Sequence, residues 1–467
     1  MARKWQTVAA LGRKRVMNEI STSDVVAEKG HFIVCTADRV RFSFPIAYLD
    51  SMIFRELLRI SEEEFGLMSD GPIILACDAQ LMVYISSLME RNAAKEVEKA
   101  LLLSMAAFRC SSSYYYLDHH QTTANNNNTP KLVFILGDST ADVGTNNHLN
   151  LSKAIANFPH NGIDFPNSQP TGRFSNGFNS ADSLAKLFGL EKSPPPFLYL
   201  LTLGSRFQDN LYRGVNFASG GAGLLDITGK NLTVVPLSEQ IAQFRSVRNN
   251  FTAMIGPSAT RKLLCKSLFF ISIGSNDILD YFSTKNRMPQ DEYISILLST
   301  YSKHITTLYR LGARKFGIIS VPPVGCCPRQ RLVQKVVNGK EGCFNPMNDF
   351  ALAFHSALNT LLSQIDSHLP EIIYSLGNTY KMTFDVIKNP KFFQFEKVDS
   401  ACCGFGYLNA AGPCNKTATL CPKRDKYLFW DMFHPTQKAS ELAALTLYTG
   451  PLYYVSPINF SQLAKDN

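Results

Sequence analysis

From Lys131 onward the chain repeats one pattern: a short, continuous apolar run, a turn of Gly, Ser, Asn or Pro, and a long segment before the next run. The runs are KLVFIL (131–136), GVNFAS (214–219), SLFFISI (267–273), KFGIIS (315–320) and EIIYSL (371–376). Unbroken apolar runs of this length suit strands buried on both faces, the condition of a parallel sheet covered by helices. Between the third and fourth runs, Ile294, Leu297, Leu298, Tyr301, Ile305, Leu308 and Leu311 recur at helical spacing, and Gly312 is the expected stop. The pattern predicts an α/β fold, a three-layer α/β/α sandwich around a mainly parallel sheet.

The 467 residues exceed one such domain. Residues 110–130 read CSSSYYYLDHHQTTANNNNTP, polar and without periodicity, so residues 111–130 are expected to be a flexible linker. Before it, residues 30–45 form two alternating strands meeting near Ala37 and Asp38; Tyr48, Leu49, Met52, Ile53, Leu57 and Ile60 follow helical spacing; residues 72–77 read as a strand and 81–105 as a helix. Residues 1–110 are therefore expected to be a small α+β domain. The segments MARKWQTVAALGRKR, GHFIVCTADRVRFSFPIAYLDSMIFRELL and SEEEFGLMSDGPIILACD resemble the plant small auxin-up RNA (SAUR) family, small regulators rather than enzymes. That resemblance implies auxin-linked growth control and a type 2C protein phosphatase as a partner.

A net charge of +9 raises the question of nucleic acid, which the distribution answers. Residues 1–110 hold 14 basic and 14 acidic side chains, and the surplus lies scattered after residue 131. No nucleic-acid partner is expected. The one dense basic cluster, Arg3, Lys4, Arg13, Lys14 and Arg15, gives weak support to contact with an anionic membrane surface; a solvated tail is the plainer reading. No run of eighteen apolar residues occurs, so no membrane-spanning helix is expected.

In a parallel α/β sheet, ligands bind outside the carboxyl ends of the strands, so the residues that end each run carry the chemistry. The first run ends in Gly137-Asp138-Ser139-Thr140, the second in Ser219-Gly220-Gly221-Ala222-Gly223, and the third in Gly274-Ser275-Asn276-Asp277; far downstream stands Asp431-Met432-Phe433-His434-Pro435. Brought together, these groups meet the needs of acyl transfer. A serine hydroxyl needs a base to take its proton and return it to the leaving alcohol, and His434 supplies one for Ser139. Asp431, three residues earlier, is placed to fix the imidazole's tautomer. The N–H groups of Ser139 and Gly221 and the amide of Asn276 offer donors for a tetrahedral oxyanion. Singly, each motif has a bland explanation, a surface turn or a helix cap, and the glycine-rich turn lacks the Lys-Ser/Thr of a phosphate loop. The serine chemistry requires no metal or organic cofactor.

The blocks FILGDSTADVGTNN, PTGRFSNGFNSADSLAKLFG, VNFASGGAGLLD, ISIGSNDI, VPPVGCCPR and FWDMFHPT resemble the plant GDSL esterase/lipase family of SGNH hydrolases over residues 131–467. The resemblance implies a flavodoxin-like sandwich that cleaves lipid or acyl esters, with Ser139 as nucleophile, Gly221 and Asn276 as oxyanion donors, His434 as general base and acid, and Asp431 as its orienter. Gly220 competes with Gly221 for the donor role. Thr140 stands where the family name has Leu.

Eight cysteines follow residue 131, and their clustering favours disulfides: Cys326 or Cys327 with Cys343, and Cys402 or Cys403 with Cys414 or Cys421. A zinc site would need paired C-x2-C spacing, which is missing. Sequons at Asn150, Asn231, Asn250, Asn415 and Asn459 fit secretion and glycosylation weakly. Resemblance makes the hydrolase half extracellular, yet the chain opens without an apolar leader core, and the run ALLLSMAAF at 100–108 reads as the tail of the first domain. As written it is expected in the cytosol, and two readings follow: a regulatory interaction protein whose hydrolase half is inactive, or two neighbouring genes read as one.

Overall fold

The computed structural model describes residues 29–36, 38–65, 73–75, 77, 79–90, 132–284 and 288–465, and the chain divides into two compact units. The basic cluster, the linker, the run at 100–108 and the far end of the helix expected at 81–105 lie outside the described residues.

In the smaller unit, strands β1 (His31–Thr36) and β2 (Arg41–Pro45) pair antiparallel, and β3 (Ile73–Leu75) lies parallel to β1, giving the order β2-β1-β3. Thr36 closes the hairpin, its hydroxyl donating to the Val40 carbonyl and accepting from the Val40 N–H, both at 3.1 Å. Alternation along β1 turns Phe32 and Val34 into a core with Ile53, Phe54, Leu57 and Leu58 of the helix Met52–Phe65. The Phe54 ring stands edge-on to Phe32 and Phe44, with centroids 5.5 and 4.9 Å away. A second helix, Ala79–Glu90, completes an α+β unit.

The larger unit is built on a six-stranded sheet. Strands β4 (Val133–Gly137), β5 (Val215–Asn216), β6 (Leu268–Ser272), β7 (Lys315–Ile319) and β8 (Ile373–Gly377) are parallel. Two small pairs lie apart from it: β9 (Lys397–Ala401) with β12 (Tyr427–Phe429), and β10 (Cys403–Gly404) with β11 (Thr419–Leu420). Strand β13 (Val455–Ser456) joins the main sheet antiparallel to β8, so the order is β13-β8-β7-β6-β4-β5.

Successive side chains point to opposite faces, so each apolar run feeds two cores. Phe134, Leu136, Phe269, Ile271, Phe316 and Ile318 pack with the helices Leu237–Ile255, Gln290–Arg310 and Asn345–His368. Val133, Ile135, Leu268 and Phe270 pack with Ser180–Leu187, Gln437–Thr449 and Phe460–Leu463. The three-layer sandwich is as expected. Gly312 ends its helix with φ +112°, a conformation that side chains with a Cβ rarely adopt.

One strand is shorter than the run at 214–219 suggested. The N–H groups of Phe217 and Ser219 still bond the Ile135 and Gly137 carbonyls of β4, but the Asn216 side chain accepts the Ala218 N–H at 2.9 Å. That side-chain turn occupies the donor on the other edge and bends the chain into the glycine turn. Asn and Ser in an apolar run were the signal.

Candidate active site

The parallel strands follow the doubly wound order 2-1-3-4-5, with the reversal at β4, between β5 and β6. A crevice opens at the carboxyl ends of the strands beside such a reversal. Ser139 lies two residues past β4, Gly221 in the turn after β5, and Asn276 in the first turn of the helix Ser275–Ser283 after β6. All three, with His434, line one cavity of about 340 Å³.

Gly137 lets β4 and β6 approach here, because a Cβ on it would collide with the Ser272 carbonyl oxygen. Gln240 fixes the strand end, donating to the Gly137 carbonyl and accepting its N–H, both at 2.9 Å. Thr140, at the departure from the GDSL pattern, gives its hydroxyl to Asp138 at 2.8 Å and lies 3.0 Å from the Ser272 hydroxyl. Burial raises the Asp138 carboxyl above its usual range, against the pull of Thr140 and His434.

His434 arrives on the bend after β12. Trp430 N–H donates to the His434 carbonyl at 2.7 Å, and Thr436 N–H to Leu428 at 3.0 Å. The Asp431 carboxylate closes the bend by accepting the N–H groups of Phe433 and His434 at 2.9 and 2.8 Å. The same carboxylate lies 2.8 Å from His434 Nδ1, while Nε2 lies 2.8 Å from Ser139 Oγ. A neutral imidazole with its proton on Nδ1, beside the carboxylate, has its lone pair on Nε2, facing the Ser139 hydroxyl. Both side chains are only 13% exposed. Burial opposes their charges, but mutual attraction and the hydrogen bond outweigh it, so Asp431 lies below its ordinary value and His434 above.

Ser139, Asp431 and His434, expected as one constellation, are thus in hydrogen-bond contact. Among the described residues the N–H groups of Ser139 and Gly221 have no partner. Gly220 N–H, the rival donor, is held by Asp142 at 2.7 Å. The Asn276 amide donates to the Ala222 carbonyl at 2.9 Å, which leaves its second hydrogen unused. Asn276 does not cap its helix: the N-cap is Gly274.

Several residues were not singled out from sequence. Asp142 accepts N–H groups from Gly144, Thr145 and Gly220, and burial pushes its carboxyl up to about 6. Asn146 ties Ala154 and Gly220 together through its amide, at 2.6 and 2.9 Å. Asp277, also pushed up to about 6 by burial, accepts from Leu224, Leu225 and Thr228 and fixes the loop after Gly223. Arg173 makes a buried, two-pronged ion pair with Asp182 at 2.6 and 2.8 Å, and the next ring, Phe174, lies 4.8 Å from the His434 ring. All stand in the sequence blocks quoted above, but none carried a separate signal.

Among the described residues disulfides join Cys326 to Cys343, Cys402 to Cys421 and Cys403 to Cys414, within the expected alternatives, and Cys327 keeps a free, buried thiol. Among the described residues no group of three His, Cys, Asp or Glu side chains is placed to hold a metal ion, and no helix is long and apolar enough to cross a membrane.

Comparison with known proteins identifies the family of the larger part and a second match before it. The family model for GDSL-like lipase/acylhydrolase matches residues 133–447, and that for auxin responsive protein matches residues 1–94. Among similar Arabidopsis thaliana proteins, the GDSL esterase/lipase At5g55050 is 39% identical over 71% of this chain and 89% of its own length. The GDSL esterase/lipase At1g71250 is 38% identical over 71% of this chain and 88% of its own, and the GDSL esterase/lipase LTL1 35% identical over 70% and 89%. The chain therefore belongs to the GDSL-like lipase/acylhydrolase family, its hydrolase part preceded in sequence by a segment that matches auxin responsive proteins.

Proposed function

We propose that the chain cleaves lipid or acyl esters with Ser139 as nucleophile. The observation that carries this reading is the continuous chain of contacts from Asp431 through His434 to Ser139, beside two N–H groups without partners. As Ser139 Oγ bonds the ester carbon, His434 Nε2 takes its proton and the carbonyl π electrons move onto oxygen. The Ser139 and Gly221 N–H groups and the second Asn276 amide hydrogen receive that oxyanion. Collapse breaks the bond to the alcohol, which leaves with the proton from His434. Water then attacks the acyl-serine, giving its proton to His434, and the freed serine oxygen recovers it. Ser139→Ala should remove hydrolysis of short p-nitrophenyl esters while the fold persists; retained turnover refutes the assignment.

The disulfides Cys326–Cys343, Cys402–Cys421 and Cys403–Cys414 support a working place in an oxidising compartment. Counting free thiols in the protein isolated from its native tissue tests this, with reduced Cys402, Cys403, Cys414 and Cys421 as the contrary result. The match of residues 1–94 to auxin responsive proteins supports a second role, binding a type 2C protein phosphatase. Pull-down of such a phosphatase by the full chain tests it, and no capture above background counts against it.

A further inference from the structure

The cavity that holds Ser139 extends far beyond the room needed for a carbonyl. It runs past Ser272 and Ile319, at the ends of β6 and β7, to the helices Thr379–Lys388 and Gln437–Thr449. Met382 and Val386 line it from the first helix, and Ala439, Leu442, Ala443 and Leu447 from the second. The hydroxyls here are mostly spent: Thr446 donates to Leu442 at 2.8 Å, and Thr379 donates to the Ser320 carbonyl. Tyr454, also in the lining, gives its hydroxyl to Asp385 at 2.9 Å. None of these groups asks for a polar ligand.

We infer that this helix-lined space receives an unbranched alkyl chain of the ester, and that Ala443 and Val386 set its length. The inference rests on Ser139 being the nucleophile, since that fixes the chain's reacting end. A volume of about 340 Å³ holds roughly ten groups of water size, the scale of a medium-length chain. Each methylene buried there favours binding by roughly fourfold, which is the source of the preference. These determinants stand on helices packed against the sheet, where rotamers are held more firmly.

The test is kcat/KM of the full chain over p-nitrophenyl esters from acetate to palmitate and, for the alcohol side, over alkyl acetates from ethyl to hexadecyl. Ala443→Phe should lower the ratio of ten-carbon to two-carbon substrate by at least about tenfold in one of the two series, and that series identifies which chain the space takes. Val386→Ala enlarges the same space and should move the optimum to longer chains in that series. Length profiles unchanged in both series for both variants overturn the inference. If Ser139→Ala is inactive while the profiles do not move, only the alkyl-chain assignment falls; if Ser139→Ala stays active, the reading of the nucleophile itself fails.

Discussion

The Asp142 carboxylate holds the Gly220 N–H at 2.7 Å and so decides which of two adjacent glycines keeps an unspent donor in the cavity. The N–H of Gly221, at φ +84°, is the one left over. Asp142→Ala would leave three buried N–H groups without an acceptor, each costing about 1–3 kcal/mol. Denaturant unfolding should show a loss of at least about 3 kcal/mol; a change within about 0.5 kcal/mol would contradict the role given to this carboxylate.

In the proposed mechanism Asn276 gives the oxyanion a side-chain donor, held in place by its bond to the Ala222 carbonyl. Asn276→Ala is expected to lower kcat roughly 100- to 1,000-fold with little change in KM, because the contact forms only as negative charge develops. Steady-state kinetics on p-nitrophenyl butyrate check this. A kcat equal to that of the parent removes Asn276 from the oxyanion hole.

The pH profile follows from the Asp431–His434 pair. The proposed mechanism needs neutral His434, whose folded value lies above that of an ordinary imidazole, so kcat/KM should rise with pH around a midpoint above the ordinary imidazole value. Asp431→Asn removes the attraction that raises it; the midpoint should fall, and kcat should drop by roughly 10,000-fold. The stability linkage has two sides. The raised His434 contributes stability that is complete below its unfolded value and is lost as pH rises through the folded one; the depressed Asp431 contributes stability above its unfolded value that is lost as pH falls through the folded one. A midpoint that stays put in Asp431→Asn contradicts the coupling.

The disulfides bear on the same bend. Cys402 and Cys403 N–H groups donate to the Phe429 and Trp430 carbonyls at 3.0 and 2.7 Å, directly before Asp431. The bridges from these cysteines close spans of 19 and 11 residues, and losing each should cost about 2–4 kcal/mol. Reduction should therefore lower the melting temperature and the activity together. Activity that survives reduction unchanged would separate the bend from its bridges.

Much of this was legible in the sequence, for identifiable reasons. Apolar runs with period-two partition between two cores, such as Phe134 and Ile135, reveal a buried parallel strand without any tertiary knowledge. The site was legible because strand ends converge in this topology, which makes Ser139 and Asn276 neighbours although 137 positions separate them. The choice between Gly220 and Gly221 was not legible, because it depends on where the Asp142 side chain turns. Strand β13 was equally hidden: two residues carry no period, and Val455 and Ser456 pair with β8 only because the chain after the helix Gln437–Thr449 returns to that edge.

The most direct measurement is covalent labelling of the full chain with a fluorophosphonate, which a nucleophilic serine attacks with release of fluoride. Intact-mass and peptide mass spectrometry should find one adduct, on Ser139, forming at a rate that falls when His434 is replaced by Ala. An adduct on another residue, or no adduct in folded protein, would contradict the account.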